Sequence, residues 1–277
     1  TASPTVQPGV LRVVLTEVDA ADAGYHGTID TYIDSSSPNF PATLDGNLKL
    51  KGAGGQSVLI RFDLAGQIPA NAHIVAAELV FYVDHPIGAV PRDLGVGAFR
   101  VLQQWSETEA SWRYRHAQAR IPWAALGCEG VGTDREAEAN STRALSYRGV
   151  LAGWDVTAGV QAMIDHPEAN WGWLLKGVTA STGSFTLASS RNRDLAKRPS
   201  LRIDYTVEGG VTQTPTATSE TPGGTATATP QGTPTATPQG GSVLVQVYHD
   251  VNRDGVPGAS EPGIAGVVVQ LLDYATR

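Results

Sequence analysis

A stretch of low-complexity sequence sets the first limit on how this chain can fold. Residues 207–241 are mostly Thr, Pro, Gly, Ala and Gln, and the octad TATATPQG (225–232) is followed at once by TPTATPQG (233–240). Such a segment has too few apolar side chains to offset the entropy that ordering would remove. We therefore predict a disordered, partly polyproline linker, either a bare flexible spacer or an O-glycosylated stalk.

The linker divides the chain into parts of different size. Residues 1–10 form a polar lead-in of similar composition, 11–206 form a patterned body, and 242–277 form a second unit. The second unit contains two apolar runs that read as strands, GSVLVQVYHD (241–250) and GIAGVVVQLLDY (263–274). It is too short to build an independent core, so we expect it to be the beginning of a larger unit in a longer chain.

The body is predicted to be all-β. With 31 Gly and 17 Pro, the chain suits short strands joined by turns better than long helices. Strands are expected at 11–16, 31–33, 47–52, 57–64, 73–84, 95–102, 171–178, 184–189 and 200–207. We predict a mostly antiparallel jelly-roll β-sandwich.

One segment of the body has helical spacing. In residues 155–166, apolar side chains recur near helical intervals at Val156, Val160, Met163 and Ile164, and Asp155 or Thr157 is suited to cap the first turn. We therefore expect a single short helix in the sandwich.

Composition argues against several classes of partner. The net charge is −7 and there are only four Lys, so nucleic-acid binding is not expected. No apolar run approaches the roughly 20 residues that a membrane-spanning helix needs. The single Cys, Cys128, cannot form an intrachain disulfide.

The second unit contains a loop with the spacing of a calcium site. Oxygen ligands are expected at alternate positions of DVNRDGVPGASE (250–261), with Gly255 at the sharp turn. The predicted ligands are Asp250, Asn252, Asp254, the carbonyl of Val256, and Glu261. Because strands flank the loop, Ca²⁺ would be structural here; the alternative is an acidic hairpin loop without metal.

Aromatic side chains supply the predicted sugar contacts, because sugar rings pack their apolar faces on flat aromatic rings. Of the six Trp, we expect Trp105, Trp112 and Trp154 to be buried. Trp173 is expected in the core on the same strand face as Trp171, which lies at the start of the strand and is expected to reach the surface. Trp123, in RIPWAAL (120–126), is predicted to be an exposed platform.

A basic, aromatic loop is the other predicted sugar contact. Tyr114 lies among Arg113, Arg115 and Arg120 in an otherwise acidic chain. Since an Arg fork matches a carboxylate, this loop is predicted to grip a uronate, the alternative being an ordinary solvated loop.

Catalytic signatures are weak. Glu107 and Glu109 would face the same way on an extended chain, and a glycosidase needs two carboxylates about 5 to 9 Å apart. No acid–base constellation surrounds them, and there is no G-x-S-x-G nucleophile motif. We expect a protein that is not an enzyme.

The body resembles the DNRLRE (disaggregatase-related) family, whose members are β-sandwich modules related to carbohydrate-binding modules. The resemblance covers roughly residues 12–206. Its motifs, in order, are DTYID (30–34), LIRFDL (59–64), IPANAHIVAAELVFYV (68–83), WSETEASW (105–112), GWDVTAGVQAM (153–163), NWGWLLKG (170–177) and RPSLRIDY (198–205). It departs from the family pattern at Met163 and at SSRNRD (189–194).

The second unit is similar to the B-type repeats of SdrD-like bacterial surface adhesins. The similarity rests on the strand before Asp250, the D-x-N-x-D-G loop and EPGIAGVVVQLLD (261–273). It implies a partial immunoglobulin-like β unit that binds calcium.

Together these features predict a secreted or cell-surface, non-catalytic module that binds polysaccharide, including acidic polysaccharide, and is displayed on a Thr/Pro stalk. One alternative is a structural or adhesive surface protein that associates with itself or with neighbouring surface domains. A polysaccharide-degrading enzyme is a third reading.

Overall fold

The computed structural model describes residues 9–86, 93–146 and 149–207. The strands in these ranges are β1 (Leu11–Thr16), β2 (Thr28–Asp34), β3 (Asn47–Lys51), β4 (Gln56–Phe62), β5 (Ala72–Pro86), β6 (Leu94–Arg100), β7 (Tyr114–His116), β8 (Ile121–Pro122), β9 (Ser141–Leu145), β10 (Val150–Asp155), β11 (Trp173–Gly177), β12 (Ser184–Ala188) and β13 (Ser200–Val207). One α-helix, α1 (Thr157–Asp165), and two 3-10 turns, Pro167–Ala169 and Leu195–Lys197, accompany them. Residues 208–277, which hold the predicted linker and the second unit, lie outside the described part.

The strands form the two layers of an antiparallel sandwich. In layer one, the long strand β5 pairs with β10 along one edge and with β13 and β12 along the other; β1 extends it beyond β13, and β3 beyond β12. Layer two has the order β2–β4–β11–β6–β9. The β3–β4 hairpin joins the layers through the pair Lys51–Gln56.

Alternation of side chains explains how these strands face the core. In β13, Leu201 and Ile203 point inward while Arg202 is exposed, the period of two expected of a strand with one wet face. In β11, by contrast, Trp173, Leu174 and Leu175 are all buried. Layer two must therefore be covered on both of its faces at β11.

The space between the layers is filled by what we call the sandwich core. Its largest fully buried side chains are Phe62, Phe81, Trp154, Trp173 and Phe185. The indole N–H groups are satisfied inside: Trp154 donates to the carbonyl of Val96, and Trp173 to Oδ1 of Asn140. Trp154 and Trp173 are thus buried, as predicted.

The sequence-based prediction of an all-β sandwich with one short helix is confirmed. Each of the nine expected strands overlaps an observed one. The strands that were missed are β7, β8, β9 and β10. In β9 only Leu145 is buried, so the sequence carries little alternation to detect there.

Helix α1 closes one end of the sandwich core with Val160, Met163 and Ile164. Val156 occupies the N-cap position, where its side chain cannot accept a hydrogen bond. The N–H of Thr157, the first residue of the helix, instead donates to Oδ1 of Asp155 at 2.9 Å. The predicted helix is confirmed, and Asp155, one position before the N-cap, accepts a hydrogen bond from the first N–H of the helix. At nine residues α1 is short, and no helix in the described ranges is long and apolar enough to cross a membrane.

Candidate functional site

The connection between β6 and β9 covers the outer face of layer two. Residues 101–140 run across this face and include the small hairpin β7–β8. They bury a second apolar cluster, the loop core, whose members are Ile33, Leu59, Phe99, Val101, Trp105, Ala110, Trp112, Trp123, Cys128 and Leu174. Leu59 and Leu174 come from the strands beneath, which explains why β11 is buried on both sides.

A buried carboxylate organises the far end of this connection. Asp134 accepts backbone hydrogen bonds from Ala124, Ala125 and Gly130 at 2.8, 2.9 and 3.0 Å. Three charge-assisted bonds to one side chain hold the turn after β8 in a single conformation. The connection is therefore anchored by polar bonds as well as by aromatic packing.

The prediction that Trp123 is an exposed platform is wrong. Its side chain is only 4% exposed and lies in the loop core, and its indole N–H donates to the carbonyl of Ser111 at 3.0 Å. The hairpin folds back so that this ring covers layer two. Trp105 and Trp112 lie in the same cluster, which confirms that they are buried.

The prediction that Trp171 and Trp173 share one strand face is wrong, although Trp171 remains partly exposed. Gly172 has a φ of +72°, and a Cβ there would lie 2.0 Å from the carbonyl oxygen of Ile60. This turn breaks the alternation, so that Trp171 packs against the loop core while Trp173 enters the sandwich core. The carbonyl of Trp171 accepts a hydrogen bond from the indole N–H of Trp105 at 2.8 Å. Trp171 therefore supports the loop core.

The arginines of the predicted loop divide into two kinds. Arg115 donates to the carbonyl of Gln104 at 3.0 Å and braces the connection. Arg113 and Arg120 are exposed, and within the described residues their guanidinium groups have no hydrogen-bonding or ionic partner. Tyr114, in β7, is half-buried. Arg113 and Arg120 therefore have all their donors available for a ligand.

The geometry of the hairpin separates these two arginines. The carbonyl of Arg113 accepts a bond from the N–H of Trp123 at 3.0 Å, at the open end of the hairpin. Arg120 has a φ of +52° and lies in the turn at the other end. Three residues of strand separate the two positions, roughly 10 Å.

An exposed aromatic side chain that the sequence did not indicate lies on a loop bonded to this hairpin. Phe40 is 72% exposed, the largest exposure of any large apolar side chain described. Its loop is attached to the hairpin by the bond from the N–H of Arg113 to the carbonyl of Pro38, 2.8 Å. The available signal was an aromatic in a Pro-rich loop, SPNFP, where no strand could bury it. We call Arg113, Tyr114, Arg115, Arg120 and Phe40 the arginine hairpin surface.

A buried polar network joins the connection to the sandwich. Asp30 of β2 is fully buried; it accepts from the Ser189 hydroxyl at 2.6 Å and from the N–H of Ser190 at 2.5 Å. Its own N–H donates to Glu107, which pairs with Arg191 at 2.5 Å. Burial raises the pKa of Asp30 to about 6, and the hydrogen bonds from Ser189 and Ser190 only partly offset this.

Glu107 and Glu109, the two carboxylates weighed as a catalytic pair and set aside, have separate partners. Glu107 is engaged with Arg191 and with the backbone of Asp30, while Glu109 accepts the N–H of Gln118 at 3.0 Å. Among the described carboxyls, only Asp30 has a strongly raised pKa, and its side chain has no exposed surface through which a substrate could reach it. In the described ranges, no three His, Cys, Asp or Glu side chains are grouped as a metal site.

The predicted calcium ligands Asp250, Asn252, Asp254, Val256 and Glu261 lie outside the described residues. Comparison with known proteins adds no assignment: no protein-family model matches the chain, and no curated protein matches its sequence. The resemblances to the DNRLRE family and to SdrD-like adhesin repeats remain predictions.

Proposed function

We propose that this chain is a non-catalytic, secreted or cell-surface module that binds acidic polysaccharide through the arginine hairpin surface. The observation that carries the proposal is the pair of exposed guanidinium groups, Arg113 and Arg120, without partners in the described structure. The exposed ring of Phe40 adds to it, because its loop is bonded to Arg113 through Pro38.

The chemistry of this surface suits a uronate-containing chain. A guanidinium donates two parallel hydrogen bonds to a carboxylate, and two arginines whose backbone positions lie roughly 10 Å apart along the hairpin can engage separate positions along one ligand. A flat ring such as Phe40 packs against the apolar face of a sugar. No catalytic group is required for any of these contacts.

Rigidity supports the same proposal. The backbone on both sides of Arg113 is bonded, to Pro38 and to Trp123, and the Trp123 ring is locked in the loop core. A ligand that binds such a surface orders side chains but little backbone, and the held backbone lowers the cost of association.

Affinity electrophoresis of the full chain with polygalacturonate, and with uncharged dextran for comparison, tests this function. We expect retardation by polygalacturonate alone, weakening as salt rises. Arg113→Ala and Arg120→Ala should each weaken binding about tenfold, the effect of losing roughly 1.4 kcal/mol of charge-assisted bonding. Arg193→Ala is the matched control, because Arg193 is exposed elsewhere; equal loss in all three variants contradicts the proposal.

The stalk and the calcium loop complete the proposed module. Spacing alone supports Ca²⁺ at Asp250, Asn252, Asp254, Val256 and Glu261. Isothermal titration of the chelator-treated full chain with Ca²⁺ should show one site, which Asp254→Asn weakens strongly. A chain that takes up no Ca²⁺, or a variant that binds it unchanged, contradicts the site.

A second candidate function is adhesion by self-association. The observation that favours it is the outer edge of β1, which within the described residues pairs only with β13. The strand carries exposed Leu11 and Val14, and exposed Val10 directly precedes it. An open apolar edge is a template for pairing with another strand. Light scattering of the full chain decides: concentration-dependent dimers or fibres that Val14→Lys abolishes support this candidate, and a monomer at all concentrations removes it.

A further inference from the structure

The outer face of layer one contains a groove, on the side of the sandwich opposite the loop core. It is lined by Arg12 of β1, Arg202 and Asp204 of β13, Ala76 and Glu78 of β5, and Asp155 at the end of β10. None of these residues takes part in the arginine hairpin surface.

Strand register explains the shape of the groove. Arg12, Asp204 and Ala76 lie in one row across the sheet, and Arg202, Glu78 and Asp155 lie in the next. Since Ala76 is exposed but ends at Cβ, a depression forms between the longer side chains around it.

Glu78 leans to one side and keeps the depression open. A Cβ added to Gly153, on the neighbouring strand β10, would lie 1.9 Å from Oε1 of Glu78. The carboxylate therefore lies over Gly153, on the β10 side of the groove. A side chain at position 153 would require the Glu78 carboxylate to move.

Four of the five charged side chains in the groove form two ion pairs, and Asp155 is the fifth. Nε and Nη2 of Arg12 bond Asp204 at 2.5 and 2.6 Å, and Arg202 lies 3.5 Å from Glu78. Asp155 binds the N–H and hydroxyl of Thr157 through Oδ1. Each pair still has N–H groups and carboxylate lone pairs to offer.

We propose that this groove binds a neutral oligosaccharide. Paired charges attract a charged ligand little, but they present donors and acceptors at defined positions on rigid strands. A sugar hydroxyl both donates and accepts, so vicinal hydroxyls match an Arg–carboxylate pair in the way that a purely cationic or purely anionic group does not. This site would be separate from the one for acidic chains, on the other layer.

The test is titration calorimetry of the full chain with neutral hexasaccharides: cellohexaose, mannohexaose and maltohexaose. We expect at least one to bind, and Ala76→Trp, which fills the groove, to weaken that binding at least tenfold. The matched control is Val75→Trp, the same insertion at an exposed neighbouring position that does not line the groove. Glu78→Gln keeps the shape and should weaken binding three- to tenfold.

The outcomes separate this proposal from the proposed function. The double variant Arg113→Ala/Arg120→Ala should keep neutral binding while it loses polygalacturonate. The groove is contradicted if no neutral hexasaccharide binds, if Ala76→Trp binds as the wild type does, or if Val75→Trp is equally impaired. It is also contradicted if the arginine double variant abolishes both activities, because one site would then bind both kinds of glycan.

Discussion

The two apolar cores of this protein are built in different ways. The sandwich core is made by side chains that alternate along strands and meet across two sheets, with Trp154 and Trp173 among its largest members. The loop core is made where residues 101–140, with few regular elements, fold over one strand face and contribute Trp105, Trp112 and Trp123.

The difference between the cores concerns how each is held in place. Strand pairing fixes the backbone of the sandwich core by regular ladders. In the loop core, individual bonds do this work: the three N–H groups bound by Asp134, and the indole N–H groups of Trp105 and Trp123 on the backbone. We therefore expect the loop core to open by itself at a lower free energy than the sandwich.

The largest expected effect comes from emptying the sandwich core. Trp173→Ala removes a fully buried ring and should lower the free energy of unfolding by about 5 kcal/mol, at the upper end for such substitutions. Chemical denaturation followed by circular dichroism measures it. We expect this variant also to lose the packing of the loop core, because the next residue, Leu174, belongs to that core. A folded variant whose hairpin still binds polygalacturonate would contradict this dependence.

The next largest effect should stay within the loop core. Trp123→Ala is expected to cost about 3 kcal/mol and to abolish polygalacturonate binding, while the β-sheet signal persists. Cys128 provides the local readout, because it is the only cysteine and is buried in this core.

Thiol labelling of Cys128 with a disulfide reagent checks this locality. Burial raises the pKa of the thiol well above its usual value, so the native protein should react slowly. Labelling of Trp123→Ala should be at least tenfold faster without global unfolding. If labelling in the wild type requires the full unfolding free energy, the two cores open as one unit and the distinction fails.

The same contrast explains what could be predicted from sequence. Periodicity two in segments such as SLRIDYTV identified the strands, and helical spacing identified α1, because these signals are local. The position of Trp123 depends on a hairpin returning to cover Leu59 and Leu174, residues distant in the chain. Whether an aromatic side chain in a loop is buried depends on whether the loop folds back onto the sheet, and no local sequence pattern encodes this.

The candidate binding residues show the same limit. Arg113 and Arg120 were found by composition, since basic residues cluster in an acidic chain, and the structure leaves them exposed. Phe40 was missed because its neighbourhood depends on the bond between Pro38 and Arg113. The orientation of Trp171 was wrong because a single glycine, Gly172, inverts the alternation.

A smaller, pH-dependent effect is expected at Asp30, which bonds both to the connection and to the segment after β12. Its pKa rises from 3.8 unfolded to about 6 folded, so its contribution to stability is full below pH 4 and is lost as pH rises through 6. The loss is on the order of 3 kcal/mol. Asp30→Asn should match the wild type near pH 4 and exceed its stability at pH 7.

Asp34→Asn is the control of opposite sign. Burial raises the pKa of Asp34, but hydrogen bonds from Gln56 and Ser36 outweigh this and hold it below its usual value. Its contribution is therefore present above the unfolded pKa and is lost only as pH falls through the lower folded pKa. Asp34→Asn should accordingly be less stable than the wild type throughout pH 4 to 8, without the change across this range that is expected of Asp30→Asn. Urea denaturation from pH 4 to 8 compares the two; parallel profiles for Asp30→Asn and the wild type would remove Asp30 as the cause.

The smallest effect on stability should come from Phe40, because most of its ring already contacts solvent. Phe40→Ala is expected to change the unfolding free energy by no more than about 0.5 kcal/mol, since neither core loses a contact. Loss of a ring–sugar contact worth about 1 kcal/mol should nevertheless weaken polygalacturonate binding several-fold. Denaturation and affinity electrophoresis measure the two effects. A variant that is as stable as the wild type but binds more weakly would separate the ligand surface from the loop core. A variant that is less stable but binds polygalacturonate with unchanged affinity would show that Phe40 stabilises the fold and does not contact the ligand.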